Sequence, residues 1–216
     1  MKGILFDLDG TLIDSMPVWQ NLDKLYVESK GFEYDNKYTD DLKAVSLKEA
    51  PEYFNKIYGM KSTFEDMLEF MEGTLKIHYA EIFEFKKGVL EKLKELKEKK
   101  FKMCITTATD SSLAMLAFNR LGLDDFMEFI LTPDIAGVEK NDKEFFAKAA
   151  RKLGIENSKL FVFDDALYAL ENAEKLGMIP VAVEDETSLN ERENIKKISD
   201  IYLESFEDLD IDELMK

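Results

Sequence analysis

Six short apolar runs punctuate this sequence, and stretches of helical periodicity separate them. The runs are Gly3–Phe6, 101–106, 128–131, 160–163, Ile179–Val183 and, less sharply, 200–203. Each has the length of one β-strand, and several are apolar at successive positions, as strands covered on both faces are. Residues 88–99 place Val89, Leu90, Leu93 and Leu96 at helical spacing, with Lys and Glu on the other face. Residues 111–121, Lys143–Leu153 and 165–176 repeat the pattern, the last stopped by Gly177. Strand and helix in alternation predict βαβ units and right-handed crossovers. The expected fold class is α/β, a Rossmann-like parallel sheet flanked by helices.

One stretch departs from the alternation. From about residue 15 to 85 no convincing strand occurs, and helices are predicted over 18–30, 46–58 and 63–82. Some seventy residues are too many for a simple crossover. They predict an inserted all-helical domain, a cap, spanning 15–85. Residues 1–14 and 86–216 form the core, with hinges near 14–15 and 85–88. The charge run 91–100 reads as a solvated helix face.

Hydrophobic residues make up 45% of the 216, enough for a real core, and 4 Pro with 10 Gly argue against low complexity. Acidic side chains number 45 against 29 basic, a formal charge of -16. Such a field repels nucleic acid and anionic membranes. It also repels phosphorylated molecules, so a phosphate site here needs local positive potential. The single Cys, Cys104, allows no disulfide within one chain and reads as a buried strand residue. No apolar stretch approaches the ~20 residues of a membrane span, and the chain starts almost directly on an apolar run. The expectation is a cytoplasmic protein with no membrane or nucleic-acid partner, monomeric or weakly dimeric.

In open parallel sheets, ligands bind beyond the carboxyl ends of the strands. After the first run comes Asp7-Leu8-Asp9-Gly10-Thr11; after the second, Thr107-Ala108-Thr109-Asp110; after the fourth, Asp164-Asp165. Lys140 precedes the helix that leads into the fourth strand. Taken singly these are weak signals, since a Thr after a strand is often a helix cap and most lysines are solvated. Acidic pairs ending two separate strands are a stronger one. Clustered carboxylates repel unless a cation neutralises them, and an all-oxygen ligand set favours a hard ion such as Mg2+.

The stretch Asp7-Leu8-Asp9-Gly10-Thr11-Leu12-Ile13-Asp14-Ser15 resembles the first motif of the haloacid-dehalogenase-like hydrolases. Phe161-Val162-Phe163-Asp164-Asp165 resembles their fourth motif, Thr107 their second and Lys140 their third, in the same order. The helical insertion resembles that of the subgroup with helical caps. The resemblance implies a phosphatase acting on small phosphate monoesters. Asp7 would attack phosphorus and become an aspartyl-phosphate, and Asp9 would serve as acid and base. Asp7, the Asp9 carbonyl and Asp165 would hold Mg2+, with Asp164 direct or through water. Thr107, the Ala108 N–H and Lys140 would grip phosphate. Asp14 would bond the hinge. Ser15, Met16, Trp19, Gln20, Lys43 and Leu47 are the implied leaving-group contacts from the cap side. Two departures stand out: Glu139-Lys140-Asn141 where the family often has Gly-Lys-Pro, and Asp164-Asp165-Ala166 for Glu-Asp-Ser.

Other activities are weighed against this one. Dehalogenating and phosphonate-cleaving members lack the second Asp, present here as Asp9. A sugar phosphomutase is the alternative, but such enzymes carry a His where Trp19 stands and an Arg where Leu47 stands. A third reading is a non-enzymatic phosphate-binding module, although receiver domains of that kind are about half this length. Trp19 can equally pack the helical core, and His78, the only His, reads as structural or solvated.

Overall fold

The computed structural model describes residues 1–42 and 45–215, with backbone alone at Asp40 and Asp41. The chain forms two compact units, Met1–Met16 with Tyr79–Lys216, and Pro17–His78.

The first unit is built on one sheet. Its strands are β1 (Gly3–Phe6), β2 (Lys102–Thr106), β3 (Ile130–Leu131), β4 (Leu160–Asp164), β5 (Ile179–Val183) and β6 (Ile201–Leu203). They lie in the order β3-β2-β1-β4-β5-β6, and every pairing is parallel. The α/β, Rossmann-like class expected from the alternating runs is the one observed. Register brings the strand ends level with one another. Phe6 pairs with Ile105 on one side and Phe163 on the other. Asp7, Thr107 and Asp164 therefore leave the sheet at one edge, where the strand order reverses and a crevice opens.

Helices cover both faces. Phe145, Phe146, Ala149 and Leu153 of helix Lys143–Leu153 pack with Leu5, Cys104 and Val162. Asp142 caps that helix by accepting from Glu144 N–H at 2.9 Å, and Gly154 ends it. On another flank Phe6, Phe163 and Phe206 form an aromatic cluster, with Phe163 and Phe206 stacked at 5.9 Å between centroids. Cys104 is buried, and burial pushes its thiol well above the ordinary range, as an inert structural Cys requires.

Residues 79–85 belong to the sheet unit for visible reasons. Ile13 pairs with Phe85, Asp14 N–H donates to Glu84 O at 3.0 Å, and Lys86 N–H donates to Leu12 O at 2.9 Å. The Arg120 guanidinium donates to the carbonyls of Tyr79 and Phe83.

Among its described residues the second unit has no strand, and its core gathers Tyr26, Val27, Phe54 and Met67. Here the helical boundaries depart from the periodicity. The helix expected over 18–30 is two, Met16–Gln20 and Leu22–Ser29, broken where the Asn21 side chain donates to Pro17 O at 2.7 Å. The one expected from residue 46 starts at Ala50, because Pro51 lacks an N–H and is accommodated only in the first turn. Ser46 and Glu49 form a turn ahead of it, Ser46 Oγ donating to Glu49 at 2.6 Å. The third, opened by a capping box between Thr63 and Asp66, is α-helical over Phe64–Ile77 and then widens into a π-turn, His78–Ile82.

Candidate active site

Three carboxylates meet at the edge shared by β1 and β4. Asp7, Asp164 and Asp165 each place an oxygen within 4.8 Å of the others, and all three are buried. Lys140 reaches them from the loop before helix Lys143–Leu153. Its ammonium lies 2.7 Å from Asp7 Oδ1 and 2.7 Å from Asp164 Oδ2 and is itself buried. Burial opposes that charge, but Asp164 and Asp7 outweigh it, so Lys140 stays protonated far above the ordinary range.

The carboxylates bear the complementary strain. Burial pushes Asp7 well above its usual value; Lys140 pulls it back, and Asp164, Asp165 and Asp9 push it up again. Asp165 rises to about 7, through burial first and then the charge of Asp164. Asp165 is nevertheless firmly placed. Thr11 Oγ1 donates to Oδ1 and Ser188 Oγ to Oδ2, each at 3.3 Å. Asp164 Oδ1 accepts from Ala166 N–H at 3.1 Å, while Oδ2 is buried without an aligned hydrogen bond among the described residues. Once all three carboxyls are ionised, one ammonium leaves negative charge in excess. An oxygen-only set at this spacing fits a hard divalent cation.

The Asp7–Thr11 loop is shaped by Gly10. Its φ is +79°, and a Cβ there would lie 3.0 Å from Asp165 Oδ2 and 2.9 Å from Met16 Cγ. Gly10 N–H donates to Ile13 O at 3.0 Å, which orients the Asp9–Gly10 peptide. Gly10 O accepts from Lys86 Nζ at 2.7 Å, and Lys86 also reaches Glu184 O and Asp185 Oδ2. Lys86 is one of many lysines in the sequence, and nothing in its neighbours marks it.

Asp9 has a different environment from Asp7. Its carboxyl accepts from Ser15 Oγ at 2.6 Å, Tyr79 Oη at 2.5 Å and Thr109 Oγ1 at 2.7 Å, with Thr107 Oγ1 at 3.5 Å. Thr107 follows β2, is buried, and accepts from Thr109 N–H at 3.1 Å; Ala108 beside it is exposed.

Asp7, Asp9, Thr107, Lys140, Asp164 and Asp165, far apart in sequence, thus share one strand-end edge. Ser15 joins them through Asp9, and Met16 through its approach to Gly10. Trp19, half-buried, Gln20 and Leu47, both exposed, lie in the helical unit, and Lys43 lies outside the described residues. Tyr79 and Lys86 join the site without any signal in the sequence. His78 has its Nδ1 2.7 Å from Thr74 O, one turn back in its own helix.

The family is decided by comparison. The sequence profile described as "Haloacid dehalogenase-like hydrolase" matches residues 4–183. The chain belongs to that family. As a haloacid dehalogenase-like hydrolase it is 25% identical over 182 residues to the phosphorylated carbohydrates phosphatase of Thermotoga maritima, covering 82% of each chain. It is 26% identical over 178 residues to the pyrophosphatase PpaX of Bacillus pumilus, covering 81% of this chain and 79% of that one. A Thermotoga maritima crystal structure with a provisional beta-phosphoglucomutase assignment superposes with TM-score 0.82 at 24% identity, covering 96% of this chain and 95% of that chain. No helix among the described residues is long and apolar enough to cross a membrane.

Proposed function

We propose that this hydrolase is a Mg2+-dependent phosphatase that cleaves small phosphate monoesters through an aspartyl-phosphate on Asp7. The observation that carries the reading is the unequal treatment of two neighbouring carboxylates. Asp7 sits against a buried ammonium at 2.7 Å. Asp9 sits among hydroxyls alone, so far as the described residues go. The ammonium works against the burial that raises Asp7, towards the anion a nucleophile needs. Hydroxyls both donate and accept, and so tolerate a group that alternates between acid and base.

Asp7 Oδ attacks phosphorus, and the P–O bond to the alcohol breaks. The departing oxygen takes the bond pair and the proton of the Asp9 carboxyl. A water then attacks the aspartyl-phosphate, returning its proton to Asp9 as the Asp7–phosphorus bond breaks. Lys140 and Thr107 supply positive potential and a donor for the phosphoryl oxygens. Asp7, Asp164 and Asp165, with the Asp9 carbonyl, would hold the metal. When bound, the ion neutralises the charge between the nucleophile and an anionic ester.

The relatives named for phosphorylated carbohydrates and pyrophosphate set the substrate panel: sugar phosphates, an alkyl phosphate and pyrophosphate. Asp7→Asn should reduce phosphate release to background while leaving the melting temperature within a few degrees. Sustained turnover in that variant would sink the nucleophile assignment. Conversion of a sugar 1-phosphate to its 6-phosphate, with no phosphate freed, would favour the mutase alternative.

A further inference from the structure

We propose that Tyr79 is a positioning residue for the acid–base carboxyl of Asp9, an inference that rests on the phosphatase reading. Tyr79 is completely buried, yet its hydroxyl bonds a half-buried carboxyl seventy residues away in sequence. A buried phenol can satisfy itself on any nearby carbonyl. This one is held from three sides onto Asp9. Its carbonyl accepts from Arg120 Nε at 3.2 Å, and its ring meets Phe83 edge-on at 5.0 Å. Its hydroxyl lies 3.3 Å from Thr109 Oγ1, which itself donates to the other Asp9 oxygen at 2.7 Å.

Tyr79 lies in the first positions of the π-turn His78–Ile82. A π-turn inserts a residue into the helical repeat and re-aims the side chains beyond it. Such widening sacrifices helical hydrogen-bond geometry, and the phenol within it bonds the Asp9 carboxyl. Ser15 and Tyr79 fill the positions around Oδ1, and Thr109, with Thr107 more distantly, those around Oδ2. All are hydroxyls. The carboxyl is thereby fixed in direction. Without the phenol, Oδ1 keeps a single donor and the carboxyl gains rotational freedom.

The consequence is chemical and selective. Protonation of the departing oxygen matters for an alkoxide and little for a nitrophenolate, which leaves readily as the anion. kcat/KM reports the steps through phosphoryl transfer to Asp7. Tyr79→Phe should therefore lower kcat/KM for an alkyl phosphate by roughly ten- to a hundredfold. For 4-nitrophenyl phosphate the loss should be several times smaller, with the melting temperature nearly unchanged. In an Asp9→Asn background the same substitution should add no further leaving-group-dependent loss. Equal losses on both esters would make Tyr79 a packing residue and overturn the proposal. So would a Tyr79→Phe protein that no longer folds, or a full additional loss in the double variant. If Asp9→Asn alone shows no preference for the better leaving group, the acid–base reading of Asp9 fails instead.

Discussion

Gly10 illustrates how one residue without a side chain can define a reactive loop. Its backbone is in the left-handed region, and the space where a Cβ would sit is already taken by Asp165 and Met16. Gly10→Ala combines a conformational cost of about 1–2 kcal/mol with a clash at 3.0 Å against a carboxylate oxygen. We expect a stability loss of about 2 kcal/mol in urea denaturation and weaker Mg2+ binding by calorimetry. A variant as stable as the parent, with unchanged Mg2+ affinity, would show that the loop relaxes freely and that this glycine is not required. At this scale the sequence was most informative. Asp7, Asp9 and the Asp164–Asp165 pair follow apolar runs, and a strand end is a position that sequence periodicity marks. Tyr79 and Lys86 carry no such mark. Tyr79 falls at an ordinary apolar place in a helical pattern, and neither the π-turn in which it lies nor its bond to Asp9 is announced by periodicity.

Among the elements, the six strands were legible because a two-sided apolar run has few other uses in a chain this polar. Strand ends still moved: β3 contracts to Ile130–Leu131, and β4 extends to Asp164. Helices were legible as stripes and not as boundaries. Pro51 and Asn21 shift or split them through local donor chemistry that a hydrophobic period does not register. The segment from Tyr79 to Lys86 is the least legible and among the most constrained. Lys86 ties it to Gly10 O at 2.7 Å, Glu184 O at 2.9 Å and Asp185 Oδ2 at 3.0 Å. Asp185 is buried; burial opposes its charge, and bonds from Thr187 and Lys86 hold it below the usual carboxylate range. Lys86→Met removes a charged donor from two carbonyls and leaves that carboxylate without its cation. The expected cost is about 2 kcal/mol, read as a lower urea midpoint at constant slope. A loss under about 0.5 kcal/mol would mean that solvent replaces the ammonium and that the segment is held by its backbone pairing and by Arg120.

For the molecule as a whole, the acidic balance of -16 and the buried acidic triad act in the same direction. Asp165 has its proton affinity raised from an ordinary 3.8 to about 7, and Asp7 is raised as well. Between pH ~4 and ~7 the unfolded chain has released protons that the metal-free folded chain retains. Folding therefore takes up protons in that window, and stability falls as pH rises through it, the Asp165 share of the fall ending above about 7 once that group is ionised in both states. A divalent ion binding the ionised carboxylates reverses the slope, since it binds the folded state and more tightly where protons no longer compete. In excess chelator, the melting temperature should decline from pH 5 to pH 7.5 by several degrees. With millimolar Mg2+ the decline should shrink or vanish, and the Mg2+-induced rise should be larger at pH 7.5 than at pH 5. Asp165→Asn, which keeps the shape but removes the charge, should make the chelator profile shallower, with Asp7 carrying what remains, and lose most of the Mg2+ response. A melting temperature that rises with pH in chelator, or a Mg2+ response independent of pH, would mean that these carboxylates are not the ones whose charge the fold must offset.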